Sequence, residues 1–360
     1  RAFGSLMGDF LVGGIHMTEQ FPHTATASTA PGASLPEHAA VQLDVAAARE
    51  RIDRVRANIA QVIEGKDEQI RLALVVLLGE GHLLVEDVPG VGKTVLAKSL
   101  AASIDASVNR IQFTPDLLPS DVTGVAIYDQ NARKFEFQAG PVFANIVIGD
   151  EINRASPKTQ SAFLECMEEH QVSVDGVTHA LPNPFTVFAT QNPSEMEGTY
   201  ALPEAQRDRF MARMSMGYPS LAAELKMVER RDQGDPVTQL RPVVSSAEVR
   251  AMIQVARSVY LAPVLQRYIV ELARATREHD DIRVGVSPRA TLHLLRAVKA
   301  NALIEGRDFV IPDDITSLAR AVFAHRLVLN SRSVRGAIGT AEAARVMDQI
   351  VQQIPTPTSA

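Results

Sequence analysis

The segment Asp87-Val-Pro-Gly-Val-Gly-Lys-Thr94 constrains this chain more than any other. It follows a short apolar run, His82-Leu-Leu-Val-Glu86, and opens a helical stretch from Thr94 to Ile104. A glycine-rich turn between a strand and a helix lets backbone N–H groups converge on phosphate oxygens, and the helix N-terminus adds positive potential. Pro89, Gly90, Val91, Gly92, Lys93, Thr94 and Val95 are the expected cradle. In such a loop the lysine reaches the β- and γ-phosphates of a nucleotide and the hydroxyl ligates Mg²⁺. Asp87 stands where the consensus has its first glycine. It lies at the loop's entrance, where a side chain leaves the cradle intact.

A second strand-like run, Asn145-Ile-Val-Ile-Gly149, ends in Asp150-Glu151. Paired acids after a strand are a weak signal alone, because Asp and Glu also cap the helix that follows. Downstream of a phosphate cradle they read differently: Asp150 as the Mg²⁺ carboxylate, Glu151 as the general base that polarises water. A third run, Phe185-Thr-Val-Phe-Ala189, ends in Thr190-Gln-Asn192-Pro193. Asn192 either starts a turn or hydrogen-bonds the γ-phosphate or the lytic water; as the third polar strand end in order, it is assigned to the site.

Strand-like runs also occur at Asn109–Phe113 and Arg213–Gly217, with helices between. This layout predicts an α/β fold, a parallel sheet covered by helices on both faces, over residues 41–219. Helical spacing of Val45, Ile52, Val55, Ile59 and Val62, then Asp67–Leu78, precedes the first strand. From Leu221 onward the strands are expected to disappear. Helices at Leu221–Gln233, Ser246–Tyr260, Pro263–His279, Pro288–Ile304 and Pro312–Asn330 predict a small all-α lid over residues 220–333. An amphipathic stretch, Thr340–Ile354, and a Pro-rich end fill residues 334–360. Residues 1–40 are rich in Thr, Ala, Ser and Pro toward their end and are expected to form a disordered tail, in which Met17 is one candidate start and the true N-terminus stays open.

Composition narrows the function classes. The net charge of -6 gives no bulk field toward nucleic acid or an anionic membrane. No apolar run approaches the ~18 residues that span a bilayer. The single cysteine, Cys166, excludes an intrachain disulfide and fits a reducing, cytoplasmic setting. The nine histidines are scattered, with no metal cluster. His279 beside two aspartates reads as a solvated helix end.

Together the motifs resemble those of AAA+ ATPases, and specifically the MoxR family. The resemblance rests on Glu86-Asp-Val-Pro-Gly-Val-Gly-Lys-Thr94, Gly149-Asp-Glu-Ile-Asn-Arg-Ala155, Ala189-Thr-Gln-Asn-Pro193, Gly198-Thr-Tyr-Ala-Leu-Pro-Glu-Ala-Gln206, Asp208-Arg-Phe210 and Ser287-Pro-Arg-Ala290. It implies ATP bound with Mg²⁺ at the boundaries of a hexameric ring. It further implies Asn192 as the sensor 1 residue, Arg289 as the sensor 2 arginine, and Arg209 as the finger supplied to a neighbour. Arg207 stands where the family commonly has leucine and competes for that last role. Whether Arg289 acts within its subunit or across the boundary stays open. The base is expected near Val62, Ile63 and Gly65.

Residues 114–141, including Lys134-Phe-Glu-Phe137, resemble this branch's insert in its second helix. Gln171–Leu181, with Asp175-Gly176 at its centre, reads as a β-hairpin by turn chemistry and matches the family's hairpin before sensor 1. Both elements face the pore in related rings; an ordinary edge hairpin is the alternative. Three function classes follow. The first is a chaperone-like motor acting on a protein client or metalloenzyme complex, with a von Willebrand A domain partner. The second is a magnesium-chelatase-like motor subunit, and the third a nucleic-acid or transcription-directed motor. The acidic balance and the lack of aromatic–basic interleaving argue against the third.

Overall fold

A computed structural model describes residues 41–88, 90–192, 200–230, 236–330 and 339–357. The expected tail at 1–40, Pro89, the motif residues Gly198 and Thr199, and the end of the Leu221–Gln233 helix lie outside the described residues.

Helix α1, Val45–Ala60, starts where Asp44 accepts a hydrogen bond from the Ala47 N–H at 2.7 Å. Its stripe of Ala48, Ile52, Val55 and Ile59 is buried. Helix α2, Asp67–Leu78, is apolar nearly all round and packs against α1 on one side. The chain continues as β1 Leu83–Glu86, α3 Lys93–Ser103, β2 Ile104–Asp105, β3 Val108–Gln112, α4 Pro119–Thr123, β4 Gly124–Asp129 and β5 Lys134–Ala139. Next come β6 Ile146–Asp150, α5 Pro157–Glu169, β7 Gln171–Val174, β8 Val177–Ala180, β9 Thr186–Gln191, α6 Glu204–Arg207 and β10 Ala212–Met214.

The central sheet has the order β10-β1-β9-β6-β3, and every neighbouring pair in it is parallel. Successive residues of a strand face opposite ways, so each strand feeds two cores. Leu83, Val85, Ile146, Ile148 and Phe188 join the core shared with α1 and α2. Leu84, Val147, Val187 and Ala189 join a second core with Phe113, Phe163 and Phe210. Because β9 lies between β1 and β6 and all three run parallel, their C-terminal ends meet along one edge, where ligands bind in open α/β sheets.

The segment from Leu221 supplies α7 Leu221–Arg230, β11 Val244–Ser245, α8 Ser246–Ser258, α9 Pro263–Glu278, β12 Ile282–Val284, α10 Pro288–Ile304, α11 Pro312–Phe323, β13 Val328–Leu329 and α12 Gly339–Gln353. Serine caps open α8 and α10: Ser245 accepts from Glu248 N–H at 3.2 Å and Ser287 from Ala290 N–H at 3.2 Å. Helix α10 is the hub, touching α1, α2, α8, α9 and α11, so the helical part shares one apolar core with the sheet layer.

Two sequence expectations are corrected. Strands do not vanish after Leu221: β11 pairs parallel with β2, and β12 antiparallel with β13. These strands are too short to show an alternating pattern. The helix expected over Pro312–Asn330 ends at Phe323, followed by a 3₁₀ turn at Ala324–Arg326 and then β13. The run reads as apolar helix, but Arg326 turns inward to pair with Asp208 at 2.8 Å, and Asn330 N–H bonds Asp281 O at 2.8 Å.

Candidate functional site

At the end of β1 the loop turns through Gly90 (φ 83°) and Gly92 (φ 90°), both in the left-handed region that side chains rarely adopt. A Cβ placed on either glycine would point into open space, the space a phosphate needs. Gly92 caps α3, so the N-terminus of that helix faces the same space. Beside it lies a cavity of about 730 Å³ lined by Val62, Ile63, Gly90, Val91, Gly92 and Val95 together with residues of α7. The loop, the helix terminus and the cavity together fit a nucleotide.

Asp87, the departure from the motif, has a structural task. Its Oδ2 accepts the Ser215 hydroxyl at 2.7 Å and the Gly217 N–H at 2.6 Å, and its Oδ1 accepts the Val88 N–H at 2.8 Å. Burial alone would push this carboxyl up; the hydrogen bonds from Gly217, Ser215 and Val88 outweigh it and hold it below the ordinary value. The side chain ties the loop entrance to the segment after β10. Lys93 Nζ donates to the Asp87 carbonyl at 2.7 Å and reaches toward the Gln191 carbonyl at 3.5 Å.

Asp150 ends β6 and is 5% exposed. The Thr94 hydroxyl donates to it, 3.2 Å from Oδ1, and Thr190 Oγ1 donates to the same oxygen at 3.1 Å. Thr190 also accepts the Glu151 N–H at 3.1 Å. Glu151 itself adopts a left-handed backbone (φ 57°), a strained conformation of the kind that clusters at functional sites. Among the described residues no group of three or more His, Cys, Asp or Glu is placed to hold a metal. The Thr94 hydroxyl and the Asp150 carboxylate are oxygen donors of the kind a Mg²⁺ shares with phosphate and water. Asn192, 3% exposed, directly follows β9 beside Gln191, which pairs with Glu86 at the loop's root.

Neighbouring β3 adds two residues that the sequence reading passed over. Arg110 Nε lies 2.6 Å from Asp150 Oδ2, and Gln112 Nε2 donates to Glu151 Oε2 at 3.1 Å. Arg154 reaches the same Glu151 oxygen at 3.0 Å. The available signal was polar Arg110 and Gln112 alternating with buried Ile111 and Phe113.

The expected finger, Arg209, and the expected sensor 2 arginine, Arg289, meet on one carboxylate outside the cavity. Arg209 Nε lies 3.1 Å from Glu168 Oε2, and Arg289 pairs with Glu168 Oε1. Neither lines the cavity beside Gly90 and Gly92. Arg207 donates to the His325 carbonyl at 3.2 Å, within its own chain. Behind them Asp208 accepts from Arg326, which is 3% exposed, and from the Ser287 hydroxyl at 2.8 Å. Burial, opposed by Asp208, lowers Arg326 to about 10.

The two expected insertions form hairpins. In β7–β8 the turn residues Asp175 (φ 50°) and Gly176 (φ 79°) are both left-handed, as a two-residue hairpin turn requires. In β4–β5 Tyr128 and Phe135 pair across the strands on an exposed face, Phe135 being 70% exposed. His179 of β8 stacks on Phe137 of β5 with centroids 3.9 Å apart, joining the hairpins. Cys166 is buried on α5, and burial pushes its thiol up to about 12, so it is no nucleophile at neutral pH.

Comparison with known proteins agrees with this geometry. Residues 82–212 match the ATPase family associated with various cellular activities (AAA), and residues 274–346 match the AAA lid domain. Chaperone MoxR1 of Mycobacterium tuberculosis is 38% identical over 315 residues, covering 85% of this chain and 82% of its own length. The chain belongs to the MoxR family of AAA+ ATPases. Another relative, the uncharacterized protein YeaC of Bacillus subtilis, is 47% identical over 300 residues, covering 83% of this chain and 93% of its own length. A crystal structure of a candidate ATPase from Cytophaga hutchinsonii superposes with a TM-score of 0.79 at 38% identity, covering 87% of this chain and 97% of its own. The MoxR fold is thus an AAA domain followed by a helical lid, and no described helix is long and apolar enough to cross a membrane.

Proposed function

We propose that this MoxR-family chain hydrolyses ATP in a homo-oligomeric, expectedly hexameric ring and uses the energy as a chaperone-like motor on a protein client. The observation that carries this reading is the Thr94 hydroxyl 3.2 Å from the Asp150 carboxylate, at the mouth of a left-handed glycine loop with Glu151 next in the chain.

In this reading Lys93 leaves the Asp87 carbonyl for the phosphates, and Thr94 with Asp150 would hold Mg²⁺. When bound, Mg²⁺ neutralises charge on the β- and γ-phosphates. Glu151 accepts a proton from the attacking water, and Asn192 orients that water or the γ-phosphate. Arg209 and Arg289, paired on Glu168 away from their own cavity, act on the nucleotide of the adjacent subunit. That arrangement makes turnover depend on assembly, because an arginine from a neighbour adds orders of magnitude in rate. Head-to-tail repetition of one such contact closes a ring. The hairpin face carrying Tyr128 and Phe135 is the proposed client contact. A von Willebrand A domain protein is the proposed partner, and the cytoplasm the proposed setting.

A Glu151→Gln variant tests the reading. It should bind ATP, remain assembled and retain its client through affinity purification, while the wild type releases it on ATP addition. Full turnover by dilute, monomeric wild type would contradict the ring.

A further inference from the structure

A second cavity, of about 390 Å³, lies at the opposite end of β9 from the glycine loop. Its walls come from both layers. Thr186 opens β9, Phe185 precedes it, Glu80 follows α2, and His170 caps α5; Arg257 and Arg296 come from α8 and α10.

Among the described residues, one wall carries a cation without a protein partner and another a buried orphaned hydroxyl. Arg296 is half-buried, and among the described residues no acceptor lies within hydrogen-bond distance of its guanidinium and no carboxylate within ion-pair distance. Burial lowers its pKa; Glu80 opposes this and Arg257 reinforces it. Glu80 is already engaged, accepting from Arg257 Nε at 2.7 Å. The Thr186 hydroxyl, in a residue 1% exposed, also has no hydrogen-bond partner. A guanidinium offers up to five donors and no acceptor. Orphaned buried hydroxyls are few. Lys299, bonded to the Arg257 carbonyl at 2.9 Å, adds further positive charge behind the wall. Leu77, Leu181 and Phe185 supply an apolar floor.

We propose that this cavity binds a small oxyanion, a carboxylate or phosphate on a compact molecule, held by Arg296 and the Thr186 hydroxyl. The anion would join α10 of the lid to the root of β9, the strand whose far end carries Gln191 and Asn192. The volume is in the range of small-molecule sites, where a few placed polar groups fix the ligand's orientation.

The test titrates orthophosphate and, separately, butyrate into the full chain at fixed ionic strength by isothermal calorimetry. A Lys93→Ala background weakens the glycine loop's own hold on phosphate. Saturable binding of one probe, at least tenfold weaker in Arg296→Gln, is expected; the probe that binds identifies the oxyanion class. Thr186→Val should weaken the same probe about fivefold, as loss of one hydrogen bond does, and it reads the site even if Arg296→Gln does not fold. No saturable binding of either probe, or equal affinity in the parent and Thr186→Val, would overturn the proposal.

Discussion

Replacing His82 should flatten the acid sensitivity of the fold. The imidazole is 4% exposed beneath β1; its Nδ1 accepts the Val187 N–H at 3.0 Å, which leaves Nε2 to donate to the Met167 carbonyl at 2.8 Å. The neutral ring thus joins β9 to the last turn of α5. Burial, only partly offset by the Met167 carbonyl, lowers its pKa from 6.5 to about 3, with His170 and Arg296 adding repulsion. Between these values the unfolded chain holds a proton that the folded chain refuses, so stability falls as the pH drops from 6.5 toward 3. The slope is about 1.4 kcal/mol per pH unit for one group, so His82 alone removes about 2 kcal/mol on going from neutral pH to about pH 5. His293, lowered by burial and by Arg326 to about 2, adds a similar amount. Urea unfolding of the wild type and His82→Gln at about pH 7.5 and about pH 5 measures the difference. The variant starts less stable by about 1–3 kcal/mol for its disturbed buried hydrogen bonds, and then loses about 2 kcal/mol less than the wild type on acidification. Equal losses in the two proteins would show that His82 is not the neutral, proton-refusing group described.

Other perturbations separate the parts of the site. Asp87→Ala removes the acceptor of the Ser215, Gly217 and Val88 bonds; ATP affinity by calorimetry should fall about tenfold, and an unchanged value would show that the tether does not shape the loop. Arg110→Ala frees Asp150 Oδ2 from its competing cation. The Mg²⁺ concentration for half-maximal turnover should then fall several-fold, and a rise would mean that Arg110 positions the carboxylate instead. Arg326→Met leaves Asp208 without its buried partner; thermal and urea unfolding should report a loss of about 3–5 kcal/mol, and a neutral effect would mean the pair contributes nothing net.

The glycine loop, Asp150-Glu151 and the Gln171–Leu181 hairpin were legible in the sequence because their signals are local. Each is a run of residues whose chemistry needs only the turn or strand end they sit on. The parallel sheet was legible because buried strands alternating with helices leave few other topologies. What was hidden depends on contacts across long separations. Glu168 collects Arg209 and Arg289 from two remote segments, and no spacing in the sequence announces it. Arg110 and Gln112 sit on the polar face of β3, and only the β3–β6 register sets Gln112 opposite Asp150. The strands β12 and β13 form from two- and three-residue pieces, below the length at which alternation can be read. Arg326 looked like the tail of an amphipathic helix; its burial against Asp208 is a tertiary demand that overrides helix propensity there.

In the function proposed here, this MoxR-family chain binds ATP in the glycine loop and Glu151 activates the water that hydrolyses it. The direct measurement is steady-state ADP release by wild type and Glu151→Gln under conditions where both are saturated with ATP. ATP binding should be equal, with turnover in the variant lowered about a hundredfold or more, as follows from loss of a general base. Turnover in Glu151→Gln matching that of the wild type would contradict it.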